Sequence, residues 1–140
     1  MLAQSTLELA SFAINTLCDQ IYHANVKAGW YSDPRTGRKV NRNVMEMLML
    51  ITTEVSEGAE GWRKDLDDTH LPQHKMLTVE MADSLIRIFD LMGYIRNNPE
   101  KFPEYTGLDL GRAFAEKILY NSSRADHKLS NRAEAGGKKC

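Results

Sequence analysis

Two stretches of this sequence combine an apolar helical pattern with a pair of carboxylates three residues apart. The first is VMEMLMLI followed by Glu54 and Glu57, and the second surrounds Glu80 and Asp83. Residues at this spacing lie on one face of an α-helix. Because buried like charges are unfavourable unless cations neutralise them, we expect two helices to face each other with the four carboxylates arranged to bind divalent cations.

Helical periodicity recurs along the chain and predicts the fold class. Apolar residues follow a helical spacing in four segments, separated by Gly- and Pro-containing loops, over residues 5–28, 43–64, 74–96 and 108–128. No segment shows the alternation of a β-strand. We therefore predict an all-α fold like a four-helix bundle, with a single domain over residues 1–130 and a polar, flexible tail over 131–140. Trp62 and the methionines are expected to pack in its core.

Composition narrows the classes of function. The chain has 140 residues, of which 42% are hydrophobic and 26% charged, as in ordinary soluble domains. A net charge of -1 gives no general attraction to nucleic acid or membranes, and no apolar run is long enough to span a bilayer. The two cysteines, Cys18 and Cys140, suggest no disulfide framework. We expect a cytoplasmic protein without a nucleic-acid or membrane partner.

The predicted helices carry polar stripes of opposite charge. The stripe of the second helix is mostly acidic and contains Asn43, Glu46, Glu54 and Glu57. The stripe of the third helix contains Glu80, Asp83, Arg87 and Asp90. The stripe of the fourth helix is basic and contains Lys117, Asn121, Arg124 and Lys128. Such stripes commonly face solvent or pair with one another, and that interpretation stays open.

A metal site is the alternative interpretation of these stripes. The two acidic pairs have no lysine between their members, whereas exposed helix faces more often alternate in sign. Carboxylate oxygens suit a hard divalent cation such as Mg²⁺. A basic stripe would then hold phosphate groups, so the combination indicates metal-assisted phosphoryl transfer.

These motifs resemble the MazG-like family of all-α nucleoside triphosphate pyrophosphohydrolases. EVSE and EMAD, separated by residues 58–79, match the family's E-x-x-E and E-x-x-D pair. Further segments resemble phage and bacterial members, namely GWYSD, RNVMEMLMLITTEVSEGAEGWRKDLDD, LPQHKMLTVEMADSLIRIFDLMGY and KILYNSSRADHKLSNRAEAGGKK. The resemblance implies hydrolysis of a nucleoside or deoxynucleoside triphosphate between the α- and β-phosphates, which yields the monophosphate and pyrophosphate. It also implies a homodimer or homotetramer.

The resemblance assigns roles to individual residues. It implies that the catalytic carboxylates bind Mg²⁺ or Mn²⁺, and these are Glu54, Glu57, Glu80 and Asp83. The phosphate-binding residues it implies are Lys117, Asn121, Arg124 and Lys128. From the residues themselves, the nucleoside could be bound by Trp30, Asn43 and Glu46. Trp30 would stack on the base, although it could instead close the end of the bundle.

Several alternatives remain open at this point. The substrate is dGTP if the chain follows the phage MazZ type, or a range of dNTPs including dUTP if it is a house-cleaning enzyme. A non-enzymatic helical oligomerisation module would use the same charged stripes between subunits. A ferritin-like di-iron site is disfavoured, because it needs Glu-x-x-His pairs and the residues at those positions are Glu57 and Asp83. Glu60 is either a residue that orients water or an exposed surface acid.

Overall fold

The regular structure of this computed structural model is helical throughout the residues that it describes, 2–124 and 129–132. Its elements, in chain order, are α1 (Gln4–Lys27), α2 (Val44–Lys64), α3 (Met76–Arg96), a 3₁₀-helix (Pro103–Tyr105), α4 (Leu110–Ser123) and α5 (Leu129–Arg132). Within those residues the extended segments form two isolated β-bridges and no strand. The predicted all-α class is confirmed. No helix in this part of the chain is long and apolar enough to cross a membrane.

Local sequence signals set the two ends of α2. The Asn43 side chain accepts hydrogen bonds from the backbone N–H groups of Met45 and Glu46, which satisfies two donors at the start of the helix. At the other end Asp65 adopts a left-handed conformation with φ of 51°, and its N–H donates to the carbonyls of Gly61 and Trp62. The helix therefore begins and ends within one residue of the predicted segment.

The fourth helix is shorter than predicted. Its regular part ends at Ser123, and Arg124 has an extended backbone with φ of -66° and ψ of 133°. The prediction of one helix through Lys128 is therefore wrong at Arg124. Lys128 lies outside the described residues, so its predicted role in phosphate binding stays a prediction.

Close contacts divide the chain into two compact units, and the predicted single domain over 1–130 stays a prediction. One unit comprises Met1–Asn15 and Asp109–Cys140, and the other comprises Thr16–Leu108. In the first unit, Asn15 donates to the Asp109 carboxylate at 2.7 Å and accepts from the Gly111 N–H at 3.0 Å. Asn15 thus fixes the start of α4 against α1.

The second unit has an aromatic core. Its buried apolar residues are Tyr22, Tyr31, Met47, Leu91, Tyr94 and Ile95. The ring of Tyr31 lies 5.1 Å from those of Tyr22 and Tyr94, centre to centre. Asn98 is buried beside them and donates to the Tyr22 hydroxyl at 3.0 Å and the Tyr94 carbonyl at 2.7 Å. This core holds the C-terminal half of α1, α2 and α3 together.

Glycines allow the helices of this second unit to approach closely. A Cβ atom on Gly61 would lie 2.8 Å from Met76, and one on Gly58 would lie 3.3 Å from the Cβ of Glu80. These contacts run in opposite directions along α2 and α3, so the two helices are antiparallel neighbours. Bringing Gly58 against Glu80 places the two acidic motifs side by side.

The contact between α1 and α3 is closer still. A Cβ atom on Gly93 would lie 2.2 Å from the backbone oxygen of Cys18 and 2.6 Å from the Cβ of Tyr22. Cys18 is buried at this contact, and its burial, followed by the charge of Asp19, raises the pKa of its thiol to about 11. Only glycine fits at position 93 without displacement of a backbone.

Candidate metal centre

Three of the four predicted acids come together between α2 and α3. One carboxylate oxygen from each of Glu54, Glu57 and Glu80 lies within 4.8 Å of the other two. Glu54 and Glu80 are buried, at 6% and 7% exposure, whereas Glu57 is exposed. We call these three residues the acid cluster. Its exposed member gives solvent, or a ligand, access to the two buried carboxylates.

Asp83 lies at the edge of the acid cluster. Its carboxylate does not belong to the group of oxygens within 4.8 Å, although its charge acts on Glu80. Its side chain is half-buried one turn further along α3. The sequence therefore predicted the neighbourhood of Asp83, and the structure separates it from the other three acids.

The acid cluster is short of positive charge. Burial raises the pKa of Glu80 to about 7, with further contributions from its hydrogen bond to Glu54 and from the charges of Glu57, Glu54 and Asp83. Among the described residues, no cation forms an ion pair with Glu57, Glu80 or Asp83. Without an added cation, the cluster is therefore expected to hold a proton near neutral pH.

Among the described residues, Arg87 is the one basic residue that forms an ion pair with a member of the acid cluster. Its Nε donates to Oε1 of Glu54 in a short contact, and the side chain of Glu54 is 9% exposed while that of Arg87 is 42% exposed. The guanidinium group of Arg87 thus neutralises the buried carboxylate of Glu54. Since the oxygens of the cluster are also the ligands that Mg²⁺ and Mn²⁺ prefer, these residues fit a hard divalent ion.

A cavity of about 400 Å³ adjoins Arg87 in the same unit. It is lined by Asn25, Trp30, Arg42, Met47, Leu50, Ile86, Arg87 and Asp90. Its volume lies in the range of small-molecule sites. Because Arg87 also contacts Glu54, one residue connects the cavity to the acid cluster.

Asp90 is the buried acid of this cavity. Burial raises its pKa, and hydrogen bonding by Asn25 and Tyr31 and the charges of Arg42 and Arg87 partly offset that effect. Its Oδ1 atom is buried without a hydrogen bond of normal geometry, and so is the hydroxyl of Tyr31. Two buried polar atoms beside the cavity therefore lack a hydrogen-bond partner of normal geometry.

The residues predicted to bind the nucleoside have different positions. Trp30 lines the cavity and is 67% exposed, so it does not close the end of a core. Asn43 caps α2 and Glu46 is exposed on its first turn, and neither lines the cavity. Asn25 and Arg42, which do line it, carry no motif that sequence analysis could use, whereas Asp90 continues the stripe of Glu80.

The predicted phosphate-binding residues lie in the other unit. The ammonium group of Lys117 lies 4.8 Å from the centre of the Tyr120 ring, and the guanidinium of Arg124 lies 5.7 Å from it. Asn121 follows on α4 and is half-buried. Because α4 ends at Ser123, the predicted helical line is interrupted before Arg124.

Glu60 is held on the surface of α2. Its carboxylate accepts from Arg63 at 2.9 Å and contacts Lys64 at 2.5 Å. Hydrogen bonds from Arg63 and then Lys64 lower the pKa of Glu60 to about 2. Of the two interpretations from sequence, this geometry favours the exposed surface acid.

Comparison of the chain with protein-family models, with curated proteins and with solved structures finds no match.

Proposed function

We propose that the protein is a Mg²⁺- or Mn²⁺-dependent pyrophosphohydrolase that converts a nucleoside or deoxynucleoside triphosphate to the monophosphate and pyrophosphate. The observation that carries the proposal is the acid cluster, in which buried Glu80 has no cationic partner among the described residues. Three carboxylates at this spacing are unfavourable without a cation. The resemblance of the two acidic motifs to the MazG-like family supports the choice of reaction.

In this proposal the carboxylates of Glu54, Glu57 and Glu80 bind the metal, and Asp83 supports them from the edge of the cluster. A bound divalent ion would neutralise phosphate charge and lower the pKa of the attacking water. Glu57, as the exposed member, faces the side from which the triphosphate arrives. The close approach of α2 and α3 at Gly58 fixes the spacing of the carboxylates before any ligand binds.

The cavity is the proposed site of the nucleoside. Trp30 offers an exposed aromatic surface for the base, and Asp90 offers a hydrogen-bond acceptor. Guanine presents two adjacent N–H donors, which suits a carboxylate, so dGTP is the substrate we propose first. The alternative is a broad dNTP range that includes dUTP. The enzyme would act in nucleotide metabolism in the cytoplasm of a bacterium or an infected host cell.

A panel of nucleotides tests this function. The protein is incubated with Mg²⁺ and each NTP or dNTP, and the products are separated by ion-exchange chromatography. We expect the monophosphate and pyrophosphate, formed fastest from dGTP and lost in EDTA. Equal rates for all dNTPs would support the broad house-cleaning alternative. Release of orthophosphate with a diphosphate would place the cleavage elsewhere, and no turnover of any nucleotide would contradict the proposal.

The pH dependence of stability tests the charge state of the acid cluster. In the metal-free protein the pKa of Glu80 is raised from 4.5 to about 7. The folded protein therefore retains a proton that the unfolded chain loses, so stability falls as pH rises through that window and levels off above it. Thermal unfolding in EDTA is expected to show a decrease of about 5 °C across the window.

Two comparisons accompany this pH measurement. Glu80→Gln is expected to flatten the decrease, because it removes the titrating group. Mg²⁺ is expected to stabilise the wild-type protein more as pH rises, because the ion competes with the proton for the carboxylates. Stability that rises with pH in the same window in EDTA would contradict the assignment.

Lys117 tests the proposed phosphate-binding residues. Removing a cation that contacts phosphate in both the ground state and the transition state raises KM and leaves kcat nearly unchanged. We expect Lys117→Ala to raise KM about 10-fold, measured by steady-state kinetics. Arg112→Ala is the matched control, since Arg112 lies on the same helix and pairs with Glu116 at 2.7 Å. Unchanged kinetics in both variants would remove Lys117 from the site.

A homo-oligomer is the proposed assembly. Several large apolar side chains on α2 and α3 are exposed, namely Met45, Leu48, Met49, Val55, Trp62, Leu85 and Ile86. A surface of this kind commonly forms an interface between copies of a chain. Light scattering coupled to gel filtration is expected to give a dimer or tetramer, and a monomer at micromolar concentration would contradict it. The same surface would serve a non-enzymatic oligomerisation module, which the nucleotide panel separates from the enzyme.

A further inference from the structure

We propose that Arg87 is an exchangeable counter-ion of the acid cluster. In the metal-free protein its guanidinium neutralises Glu54, and a divalent cation at the carboxylates displaces it into the adjacent cavity, where it binds a phosphate of the substrate. The displacement concerns only the protein and the metal. The phosphate contact rests on the proposed function.

Competition at Glu54 is the first step. The side chain of Glu54 is buried, so its charge requires a partner, and Arg87 Nε donates to Oε1 of this carboxylate. Glu54 also contributes one of the oxygens that lie within 4.8 Å of Glu57 and Glu80. A cation among these oxygens would take over the neutralisation of Glu54. The contact with Arg87 then loses most of its electrostatic stabilisation, and two positive charges at one carboxylate repel each other.

The adjacent cavity can accommodate the side chain of Arg87 when it is displaced from Glu54. Its side chain is 42% exposed and already forms part of the cavity wall. Asp90 lies three residues further along α3, on the same cavity, and its charge interacts with that of Arg87. A guanidinium between Asp90 and the acid cluster would point its remaining N–H groups into the cavity.

The phosphate contact follows from the position and chemistry of Arg87. The residue lies between the cavity proposed for the nucleoside and the carboxylates proposed for the metal. A triphosphate bound to both must pass this point. Guanidinium groups bind phosphate oxygens through paired hydrogen bonds and remain charged at any working pH. Arg87 would therefore bind the substrate only after the metal has displaced Arg87 from Glu54. The metal would then bind before the triphosphate.

Nuclear magnetic resonance of the arginine side chains tests the displacement directly. The Nε–Hε signal of Arg87 in the full chain is assigned by its loss in Arg87→Lys, and Mg²⁺ alone is then titrated. We expect the signal to shift and to exchange faster with water, with the midpoint that calorimetry gives for Mg²⁺ binding. A signal that stays fixed while Mg²⁺ binds would overturn the proposal, and so would a protein that binds no Mg²⁺.

Binding affinities supply the second measurement. Arg87→Gln removes the competing cation, so we expect it to bind Mg²⁺ about 5-fold more tightly in the nucleotide-free protein. Arg87→Lys keeps the charge and is expected to remain within about 2-fold of wild type. Arg63→Gln is the matched control, because Arg63 pairs with the surface acid Glu60. Weaker or unchanged Mg²⁺ binding in Arg87→Gln would contradict the competition.

A non-hydrolysable triphosphate completes the test. With Mg²⁺ present, Arg87→Gln is expected to bind an α,β-methylene nucleotide about 10-fold more weakly, whereas Arg63→Gln binds it normally. Equal binding by both variants would overturn the phosphate contact. Displacement of Arg87 without turnover of any nucleotide would support the exchange and contradict the enzyme. Turnover of a nucleotide with an unchanged Arg87 signal would support the enzyme and contradict the exchange.

Discussion

Glu57→Gln is expected to lower kcat for triphosphate hydrolysis by at least about 100-fold. Glutamine keeps the shape of the side chain but removes the charge of the exposed member of the acid cluster. Of the three clustered acids, Glu57 has neither the ion pair of Glu54 nor the burial of Glu80, so its loss disturbs the fold least. Steady-state kinetics at saturating Mg²⁺ measures the loss of activity.

Glu60→Gln is the control for this variant. Glu60 lies one turn from Glu57 on α2 and its carboxylate is already paired with Arg63 and Lys64. We expect wild-type kcat for Glu60→Gln. In EDTA, Glu57→Gln is expected to unfold at the wild-type temperature or above it, because the substitution removes a negative charge beside the other acids of the cluster. Full activity in Glu57→Gln, or equal losses in both variants, would disprove the role of the cluster.

Gly93→Ala is expected to reduce the free energy of unfolding by about 3 kcal/mol. A Cβ atom at this position would lie 2.2 Å from the Cys18 carbonyl oxygen, so α1 and α3 would have to move apart. The higher helix propensity of alanine, worth about 1 kcal/mol, offsets only part of this effect. Urea unfolding followed by circular dichroism measures the change.

Gly58→Ala serves as the comparison for Gly93→Ala. Its Cβ would meet the terminal methyl group of Met81 at 2.9 Å, and a flexible side chain can rotate away where a backbone cannot. We expect stability within about 1 kcal/mol of wild type. Equal destabilisation in the two variants would show that the backbone contact at Gly93 is not the cause.

The sequence predicted the helices well because their limits are set by local chemistry. Asn43 caps α2 with its own side chain, and periodicity alone located the other long helices to within a few residues. The break at Arg124 has no comparable signal, since neither proline nor glycine stands near it. Periodicity continues through such a position, so the pattern predicted a helix that the backbone does not follow.

The helical stripes predicted which carboxylates lie close together, and the roles of these residues stay predictions. Glu54, Glu57 and Glu80 lie close together, as their helical spacing predicted. Helical spacing shows which residues share a face, but it does not show which other residues pack against that face. The ion pair of Arg87 with Glu54 and the cavity beside it depend on how α2 and α3 are aligned. Trp62 was expected in the core but is 75% exposed, since an apolar position in a helical pattern does not specify which surface covers it.

The reactivity of Cys18 reports how often the contact between α1 and α3 opens. Its thiol is buried and its pKa is raised to about 11, so a thiol reagent can react with it only when the two helices separate. In a chain that has Cys140 replaced by serine, the labelling rate counts these separations directly. Cys18 lies on α1 and its backbone contacts α3, the helix that carries Glu80. A metal ion that stabilises α3 is therefore expected to slow the labelling of Cys18.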